Sequence, residues 1–308
     1  MMKKILFLIF GVLTLYSCQD KINLDQLEGS NVLVAYSFPS GDTTRVYVSS
    51  SLPVKGNALA LDSVNVECLV NGNRQKVLFH NKTGIGNRVQ FEYYFVRHLI
   101  KGDRVDVFVD ANRFPSIHAT STVPEFPIIK DIKIGDHLTN GNNCDRIALT
   151  IGNDANTDNF YAIRVIGMEG SYDGELDSII MRNEVENIET SSEPVLNNYS
   201  LGQLSFDETN HFVDKFYIFD SSSFSDCSSY CLNLDVKPDG YVKAYRVELF
   251  KLTPEMYNFF KSVNDGLNNK VADYGLSFVT PSYTNVYNGL GVVGCYQMIR
   301  SNWIQKNN

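Results

Sequence analysis

Val64-Asn65-Val66-Glu67-Cys68-Leu69-Val70-Asn71-Gly72 is the stretch that decides the fold of the first half of the chain. Apolar and polar residues alternate from Val64 to Cys68, which is the two-residue period of a β-strand. Asn71-Gly72 supplies the positive φ values of a tight turn, and residues 76–79 supply a returning strand. The stretch therefore predicts a β-hairpin, in which Cys68 is a small core residue rather than a reactive thiol.

Aromatic and β-branched runs of strand length surround this hairpin on both sides. Turn sequences at 39–42 and 101–103 separate them, and no helical period intervenes. Pro124-Glu125-Phe126-Pro127 then interrupts any hydrogen-bonded ladder and marks a linker. We therefore predict an immunoglobulin-like β-sandwich over residues 31–124, in architecture only, because the Cys-Trp-Cys pattern of antibody domains is missing. The expected strands are 32–38, 45–49, 64–70, 89–96, 104–109 and 117–123.

The second half of the chain predicts a larger β-rich domain over residues 128–308 with one short helix near 254–267. Thr253 is a capping residue, Pro254 suits the first helical position, and an acid follows at Glu255. Apolar residues then share one helix face, which we expect to pack into a core, a groove for a partner being the alternative. This face holds Met256, Phe260, Val263 and Leu267. The polar stretch 173–210 predicts long loops or a surface insertion.

The first eighteen residues predict where the protein works. A basic start, Met1-Met2-Lys3-Lys4, precedes an apolar run over 5–15 that is too short to span a bilayer. The run ends in Leu15-Tyr16-Ser17-Cys18, which resembles a bacterial lipobox. We therefore predict a lipoprotein signal peptide at 1–17, lipidation of Cys18, and a polar tether over 18–30. An ordinary cleaved signal peptide is the alternative.

Charge and composition limit the classes of protein to which the chain can belong. The chain has 308 residues, 44% of them apolar and 12% aromatic, which is enough for about two domains with cores of their own. Its formal net charge is −8, and no cluster of Lys and Arg occurs. An acidic body argues against nucleic acid and against a second, electrostatic attachment to anionic lipid. The lipid at Cys18 is thus the expected membrane attachment.

The remaining cysteines are odd in number, so at least one stays unpaired. Cys227 and Cys231 are close enough in sequence to form a small local disulfide in an oxidising compartment. A metal site there is the weaker alternative, because only His211 precedes the pair at any nearby distance. We expect no metal and no cofactor.

Two further segments imitate known sites. Residues 289–294 fit G-x-G-x-x-G, but a dinucleotide site needs that loop at the start of a βαβ unit, and only fourteen residues follow. We interpret it as a tight turn into a final strand through Tyr296 and Ile299. Residues 154–158 imitate half of a calcium loop, but Asn159 replaces the required glycine and Val165 the bidentate glutamate. We interpret this segment as a solvated turn.

No catalytic motif appears in the context that it needs, and the five histidines are scattered singly. The sequence therefore predicts that the protein is not an enzyme, a triad assembled only in three dimensions being the alternative.

Several motifs together resemble the DUF4249 family of Bacteroidota envelope lipoproteins, a family with no established activity. They are the lipobox, the Val-Pro at the end of the first β domain, and the segments Asn159-Phe160-Tyr161, Thr253-Pro254-Glu255-Met256-Tyr257 and 285–294. The resemblance implies a lipid-anchored, two-part β protein, often encoded near TonB-dependent outer-membrane receptors. Cys295 departs from it, because a small or aromatic residue is expected after the glycine-rich segment.

Three short segments resemble the acceptor used for protein O-glycosylation in Bacteroidota, with Thr43, Ser63 and Ser178 as the modified residues. They are Asp42-Thr43-Thr44, Asp62-Ser63-Val64 and Asp177-Ser178-Ile179. A glycan at these positions would add bulk to surface loops.

Two functions fit this sequence. The first is a lipid-anchored outer-membrane protein that helps a TonB-dependent receptor capture its substrate, with aromatic-bearing loops as the contact surface. The second is a structural or adhesive surface lipoprotein without a role in transport.

Overall fold

A computed structural model gives the structure of most of the chain. The residues that it describes are 31–51, 59, 61–85, 88–139, 141–155, 157–173, 178–199, 206, 210–224, 227–237, 241–268 and 282–306. The predicted signal peptide, the tether and Cys18 lie outside the described residues.

The described residues form a mainly β structure with one α-helix. The strands are β1 Leu33–Ser37, β2 Thr43–Ser50, β3 Val64–Val70, β4 Asn73–Arg74, β5 Leu78–Ile85, β6 Arg88–Val96, β7 Arg104–Ala111, β8 Ile117–Thr122, β9 Ile129–Thr139, β10 Asn142–Gly152, β11 Phe160–Asp173, β12 Ser178–Val185, β13 Asn197–Tyr199, β14 Phe216–Asp220, β15 Ser229–Val236, β16 Tyr241–Leu252, β17 Leu290–Val293, β18 Tyr296–Arg300 and β19 Ile304–Gln305. The helix is α1 Pro254–Asn268, and a short 3-10 turn covers Ser221–Phe224.

The N-terminal sandwich consists of two facing sheets, one in the order β17-β1-β2-β6-β5 and the other in the order β4-β3-β7-β8. Inward-pointing apolar residues of both sheets, among them Val48, Cys68 and Val107, form its core. This alternation of buried and exposed positions is what the two-residue period predicted. The predicted immunoglobulin-like β-sandwich is confirmed.

The hairpin after Val70 is shorter than its sequence predicts. Asn71 and Gly72 have φ values of 52° and 76°, as the tight turn requires, and β4 pairs with β3 for two residues. The chain then crosses to the other sheet, where β5 pairs with β6, because Val77 packs against the core between the sheets. The long antiparallel partner of β3 is β7.

The C-terminal sandwich packs the three-stranded sheet β15-β10-β9 on a larger sheet in the order β13-β14-β11-β16-β18. Strand β12 extends this larger sheet beside β11, and β19 extends it beside β16. Fully buried residues such as Leu149, Tyr161 and Val247 form the core between the two sheets. This is the predicted larger β-rich part of the chain.

Helix α1 lies between the two sandwiches. Thr253 precedes it, and the Thr253 carbonyl accepts a hydrogen bond of 3.0 Å from the Tyr257 amide. Met256 and Phe260 are fully buried, as the predicted apolar face requires, and Phe259 is 1% exposed. A cluster that we name the junction core packs these helix residues against β1, β17 and the outer face of the larger C-terminal sheet.

Strand β17 shows that the chain is not divided cleanly at its linker. It runs parallel to β1 at the edge of the N-terminal sandwich, so part of the predicted 128–308 domain completes the first one. A Cβ on Gly291, whose φ is 104°, would lie 2.0 Å from the Ala35 carbonyl oxygen. A Cβ on Gly294 would lie 2.6 Å from the Met256 Cβ. The glycines of the G-x-G-x-x-G segment therefore permit close packing of backbones, which is not a dinucleotide site.

Candidate functional site

A cleft of about 490 Å³ lies where the two sandwiches meet, and we name it the junction cleft. It joins the rim of the N-terminal sandwich to the wall of the C-terminal one. Its lining residues are Phe38, Ser40, Gly41, Asp42, Thr43, Arg45, Tyr47, His98, Leu99, Phe126, Asn210, His211, Tyr296, Gln297 and Met298. Aromatic surface with a few convergent polar groups is typical of a small-molecule site.

The aromatic side of the junction cleft continues into the junction core. Phe38 lies 6.1 Å from Phe212 and 6.1 Å from Phe260, ring centre to ring centre. Phe212 in turn lies 5.1 Å from Tyr296 in an edge-to-face arrangement. Because Phe38 follows β1 and Phe260 belongs to α1, these contacts hold the two walls of the cleft in one geometry.

The turn between β1 and β2 forms the rim of the junction cleft. Gly41 has a φ of 58°, and its carbonyl accepts a hydrogen bond of 2.9 Å from the Leu99 amide. Asp42 Oδ1 lies 2.6 Å from His98 Nδ1, and both side chains are exposed. Behind the rim, the Arg45 guanidinium pairs with the Glu92 carboxylate, which is nearly buried. The rim thus presents both signs of charge.

His211 is the second histidine of the junction cleft, and it is mostly buried. Burial lowers the pKa of His211, and the nearby Arg164 guanidinium lowers it further. His211 is therefore neutral at neutral pH, with a ring that both donates and accepts hydrogen bonds. Its carbonyl accepts a hydrogen bond of 2.8 Å from Arg164 Nη1, which fixes the backbone at this wall of the cleft.

A buried ion network stands behind that wall. Glu248 is shared by two guanidiniums, with Arg164 on one oxygen and Arg300 Nε at 2.7 Å on the other. Burial alone would raise the pKa of the Glu248 carboxyl, but the two cations outweigh it and hold the pKa below its usual range. The carboxylate is therefore charged, and it fixes Arg164 for its contact with His211.

The linker between the sandwiches is fixed by a second set of ion pairs. The Glu125 carboxylate lies 2.7 Å from Lys101 Nζ and 3.3 Å from Lys251 Nζ. Lys101 belongs to the N-terminal sandwich and Lys251 to β16, so the linker carboxylate bridges the two. A hydrogen bond from Lys101, together with the charge of Lys251, lowers the pKa of Glu125.

Among the residues that the sequence singled out as modification sites, the structure describes the side chains of Thr43 and Ser63. Thr43 is exposed at the start of β2, where it lines the junction cleft, and Ser63 is exposed just before β3. Ser178 begins β12, but its side chain lies outside the described residues, as does Cys18. The glycosylation and lipidation sites remain predictions.

The local disulfide expected between Cys227 and Cys231 is not formed in the structure, where both are exposed free thiols. Strand β15 begins at Ser229, and Cys231 already pairs with Thr150 across the sheet. The backbone enters an extended strand between the two cysteines. A disulfide would instead need their Cα atoms to lie close together. Burial raises the pKa of the Cys68 thiol to about 12, as expected of an inert core residue.

The calcium-like segment is a turn that is closed by an amide. Asn159 Nδ2 donates to Asn153 Oδ1 and to the carbonyl oxygens of Asp154 and Thr157, at 2.8, 2.8 and 2.9 Å. This one amide group thus closes the turn by binding a side-chain oxygen and two backbone carbonyls. Within the described ranges, no group of three or more His, Cys, Asp or Glu side chains could share a metal ion. The described part of the chain also holds no helix long and apolar enough to cross a membrane.

Sequence reasoning identified the turn at 39–42 but not the junction cleft that it borders. Asp42, His98 and His211 are far apart in the chain, and no spacing relates them. Each histidine looked like an isolated strand-edge or loop residue. The only local signal was the aromatic content of the segments that meet at the cleft.

Two β-sandwiches joined through a buried helix and bordering one cleft define a mainly β, two-lobed protein. Within that class, the chain belongs to the family described as "Domain of unknown function (DUF4249)", whose model matches residues 19–300. The family membership that the motifs predicted is therefore confirmed.

Solved structures resemble the chain only weakly. The adhesin InvE of Yersinia pseudotuberculosis is 11% identical, with a TM-score of 0.21 over 71% of this chain and 54% of its own. The mouse nectin-like molecule 4 ectodomain is 9% identical, with a TM-score of 0.21 over 72% of this chain and 59% of its own. The Ig1-2 module of the Drosophila receptor protein tyrosine phosphatase DLAR is 12% identical, with a TM-score of 0.21 over 72% of this chain and 91% of its own. The chain thus spans little more than half of the first two proteins, and no curated protein matches it.

Proposed function

We propose that the protein is a lipid-anchored outer-membrane protein that helps a TonB-dependent receptor capture its substrate, and that the substrate binds in the junction cleft. The observation that carries this proposal is the cleft itself, which is bordered by aromatic rings, two histidines and an arginine. Its walls come from two sandwiches that a shared core holds together. A preformed site of this kind binds ligand without first having to be ordered.

The anchor at Cys18 supports the envelope location. Each buried methylene contributes about 0.8 kcal/mol, so the several acyl chains of a lipoprotein cysteine hold a protein stably where one chain would not. A Cys18→Ser variant should leave the detergent phase on Triton X-114 partitioning, and wild-type protein should remain in it. Detergent-phase Cys18→Ser protein would contradict the anchor.

The receptor part of the proposal is tested by tagging the chromosomal copy and purifying it from mildly solubilised outer membranes. A TonB-dependent receptor should enrich with the wild type. An Arg45→Ala variant tests the cleft separately, because it should bind less substrate than the wild type. The control is Lys133→Ala, at an exposed position of β9, which should bind as much substrate as the wild type. If no receptor enriches, the accessory role fails whatever the cleft binds.

A spacer or adhesive role is the second candidate, and the contacts between the sandwiches favour it. The Glu125 carboxylate pairs with a lysine of each sandwich, and the buried helix packs against both, as a structural arm requires. Gene deletion separates the two roles. A spacer predicts altered adhesion or envelope integrity on every nutrient, whereas the accessory role predicts a growth defect confined to one scarce nutrient.

A further inference from the structure

Three aromatic side chains form one row across the outer face of the β4-β3-β7-β8 sheet. Phe108 on β7 pairs with His118 on β8, and His118 forms a β-bridge with Tyr287. The ring centroids of Phe108 and His118 are 5.9 Å apart with nearly parallel planes, and those of His118 and Tyr287 are 5.0 Å apart. We name this set the aromatic row.

The aromatic row is open to solvent, although large apolar side chains are usually buried. Tyr287 is 62% exposed and Phe108 is 37% exposed, and His118 is also exposed. The sheet does not need aromatic rings on this face, because its core lies on the opposite face with Val66, Val107 and Ala119. Clustered exposed rings mark interaction surfaces more often than single ones do.

The backbone holds the aromatic row in place before any ligand arrives. The Tyr287 amide donates to the His118 carbonyl at 2.8 Å. The Asn285 side chain donates to the Val293 carbonyl at 2.8 Å and accepts from the Val293 amide at 3.0 Å. The segment that carries Tyr287 is therefore fixed both to β8 and to β17, and its ring needs little further ordering on binding.

Hydrogen-bonding groups border the aromatic row on both sides. On one side the Ser116 hydroxyl donates to the exposed Asp110 carboxylate. On the other side Arg104 Nε lies 3.2 Å from the Thr120 hydroxyl oxygen. Beyond Phe108, its cross-strand neighbour Glu67 adds a half-buried carboxylate. The surface thus combines three exposed rings with donors and acceptors beside them, the Tyr287 ring being inclined by 45° to that of His118.

We propose that the aromatic row binds a neutral oligosaccharide. The C–H-bearing face of a sugar ring is apolar and weakly positive, so it stacks on the negative face of an aromatic ring. Its hydroxyls lie at the ring edge, where Asp110, Glu67 and Thr120 accept hydrogen bonds and Arg104 donates them. Successive rings one sugar apart fit a chain of sugars rather than a single one.

Charge selects the neutral class of sugar. Asp110 and Glu67 place carboxylates beside the row, but Arg74 pairs with Glu67 at 3.1 Å and Arg104 lies near Thr120, so cations and anions are mixed there. A surface of mixed charge gives a polyanion no net attraction, and its polar groups can form hydrogen bonds with neutral hydroxyls. The aromatic row lies on a different sheet from the rim of the junction cleft, so this site is independent of the proposed substrate site.

The test is native affinity electrophoresis of the full mature protein in gels containing neutral polysaccharides, namely xyloglucan, galactomannan, mixed-linkage β-glucan and dextran. Polygalacturonate serves as the anionic comparison. We expect at least one neutral polymer to retard the wild type and polygalacturonate not to. Tyr287→Ala and Phe108→Ala should each weaken binding to that polymer about tenfold or more, which corresponds to about 1.4 kcal/mol.

Two controls separate binding from folding. Tyr287→Phe keeps the ring and should bind within about threefold of the wild type, a change of under about 0.7 kcal/mol. Phe79→Ala removes a 56% exposed aromatic residue of the other sheet and should bind like the wild type. The proposal is overturned if no neutral polymer retards the wild type, if only polygalacturonate does, or if Phe79→Ala weakens binding as much as Tyr287→Ala.

Discussion

Glu248 carries a buried charge on which the stability of the fold depends. Its side chain is 1% exposed, and it neutralises Arg164, which is 6% exposed. Glu248→Gln would leave that guanidinium buried beside a neutral amide, which costs about 3–5 kcal/mol when one partner of a buried pair is removed. Urea unfolding at neutral pH measures this loss, and Glu184→Gln, at an exposed position of β12, should change little.

Glu248 also contributes to the loss of folding stability at acidic pH. Because the folded pKa of Glu248 lies below its ordinary value, its contribution is present above the unfolded pKa and is lost as the pH falls through the folded value. The wild type should therefore lose stability on acidification in that range, and Glu248→Gln should lose less. Parallel acid dependence in both proteins would contradict this assignment.

The thiols should react in two groups. Burial raises the pKa values of Cys68 and Cys295 to about 12, and Cys144 is also buried, whereas Cys227 and Cys231 are exposed. Iodoacetamide on native, reduced protein should label only the exposed pair, and labelling of the other three should require denaturant. Peptide mass spectrometry measures the sites, and rapid native labelling of Cys295 would contradict its buried position.

Strand β17 depends on glycine for its place beside β1. Gly291→Ala would add a Cβ at 2.0 Å from the Ala35 carbonyl oxygen on a backbone with positive φ. We expect a loss of at least about 2 kcal/mol in the free energy of unfolding. Gly266→Ala is the matched control, because it lies in α1 with nothing within 4 Å and should stabilise the protein by about 0.5–1 kcal/mol. Equal effects of the two changes would contradict the proposed packing.

At the element scale, the sequence predicts what local pattern controls. Residues adjacent in sequence specify the turn at Asn71-Gly72 and the helix after Thr253, and the structure confirms both. The crossing from β4 to β5 and the insertion of β17 beside β1 depend on contacts between distant segments. No period along the chain specifies such pairings, so the residues 289–294 looked like a turn only.

At the scale of the whole molecule, Phe260 joins the two sandwiches. It is fully buried, with Phe38 on one side and Phe212 and Phe216 on the other. Phe260→Ala should cost about 3–5 kcal/mol, and unfolding of the two sandwiches should separate because their shared core is weakened. Urea titration followed both by Trp303 fluorescence and by far-UV circular dichroism tests this, since the single tryptophan reports on the C-terminal sandwich. Coincident transitions in the variant would contradict the uncoupling.

The junction cleft could not be predicted from sequence for a related reason. Among its polar residues, Asp42 and His98 meet where β2 pairs with β6, and only the docking of the two sandwiches adds His211. The aromatic content of these segments predicted contact surfaces in general, without saying which side chains converge. The glycines of residues 289–294, in contrast, permit close packing against neighbouring segments, and the final strand that the sequence predicts after them is present as β18.

The proposed function requires a captured substrate to pass from the junction cleft into a receptor, so we expect the mouth of the cleft to face that receptor. Site-specific photo-crosslinking in living cells tests this directly, with the photoreactive residue at His98 on the cleft rim and at Glu184 on the distant strand β12 as the control. The account predicts a crosslink from position 98 to a TonB-dependent receptor and none from position 184. No receptor crosslink from position 98, or equal crosslinks from both positions, would contradict it.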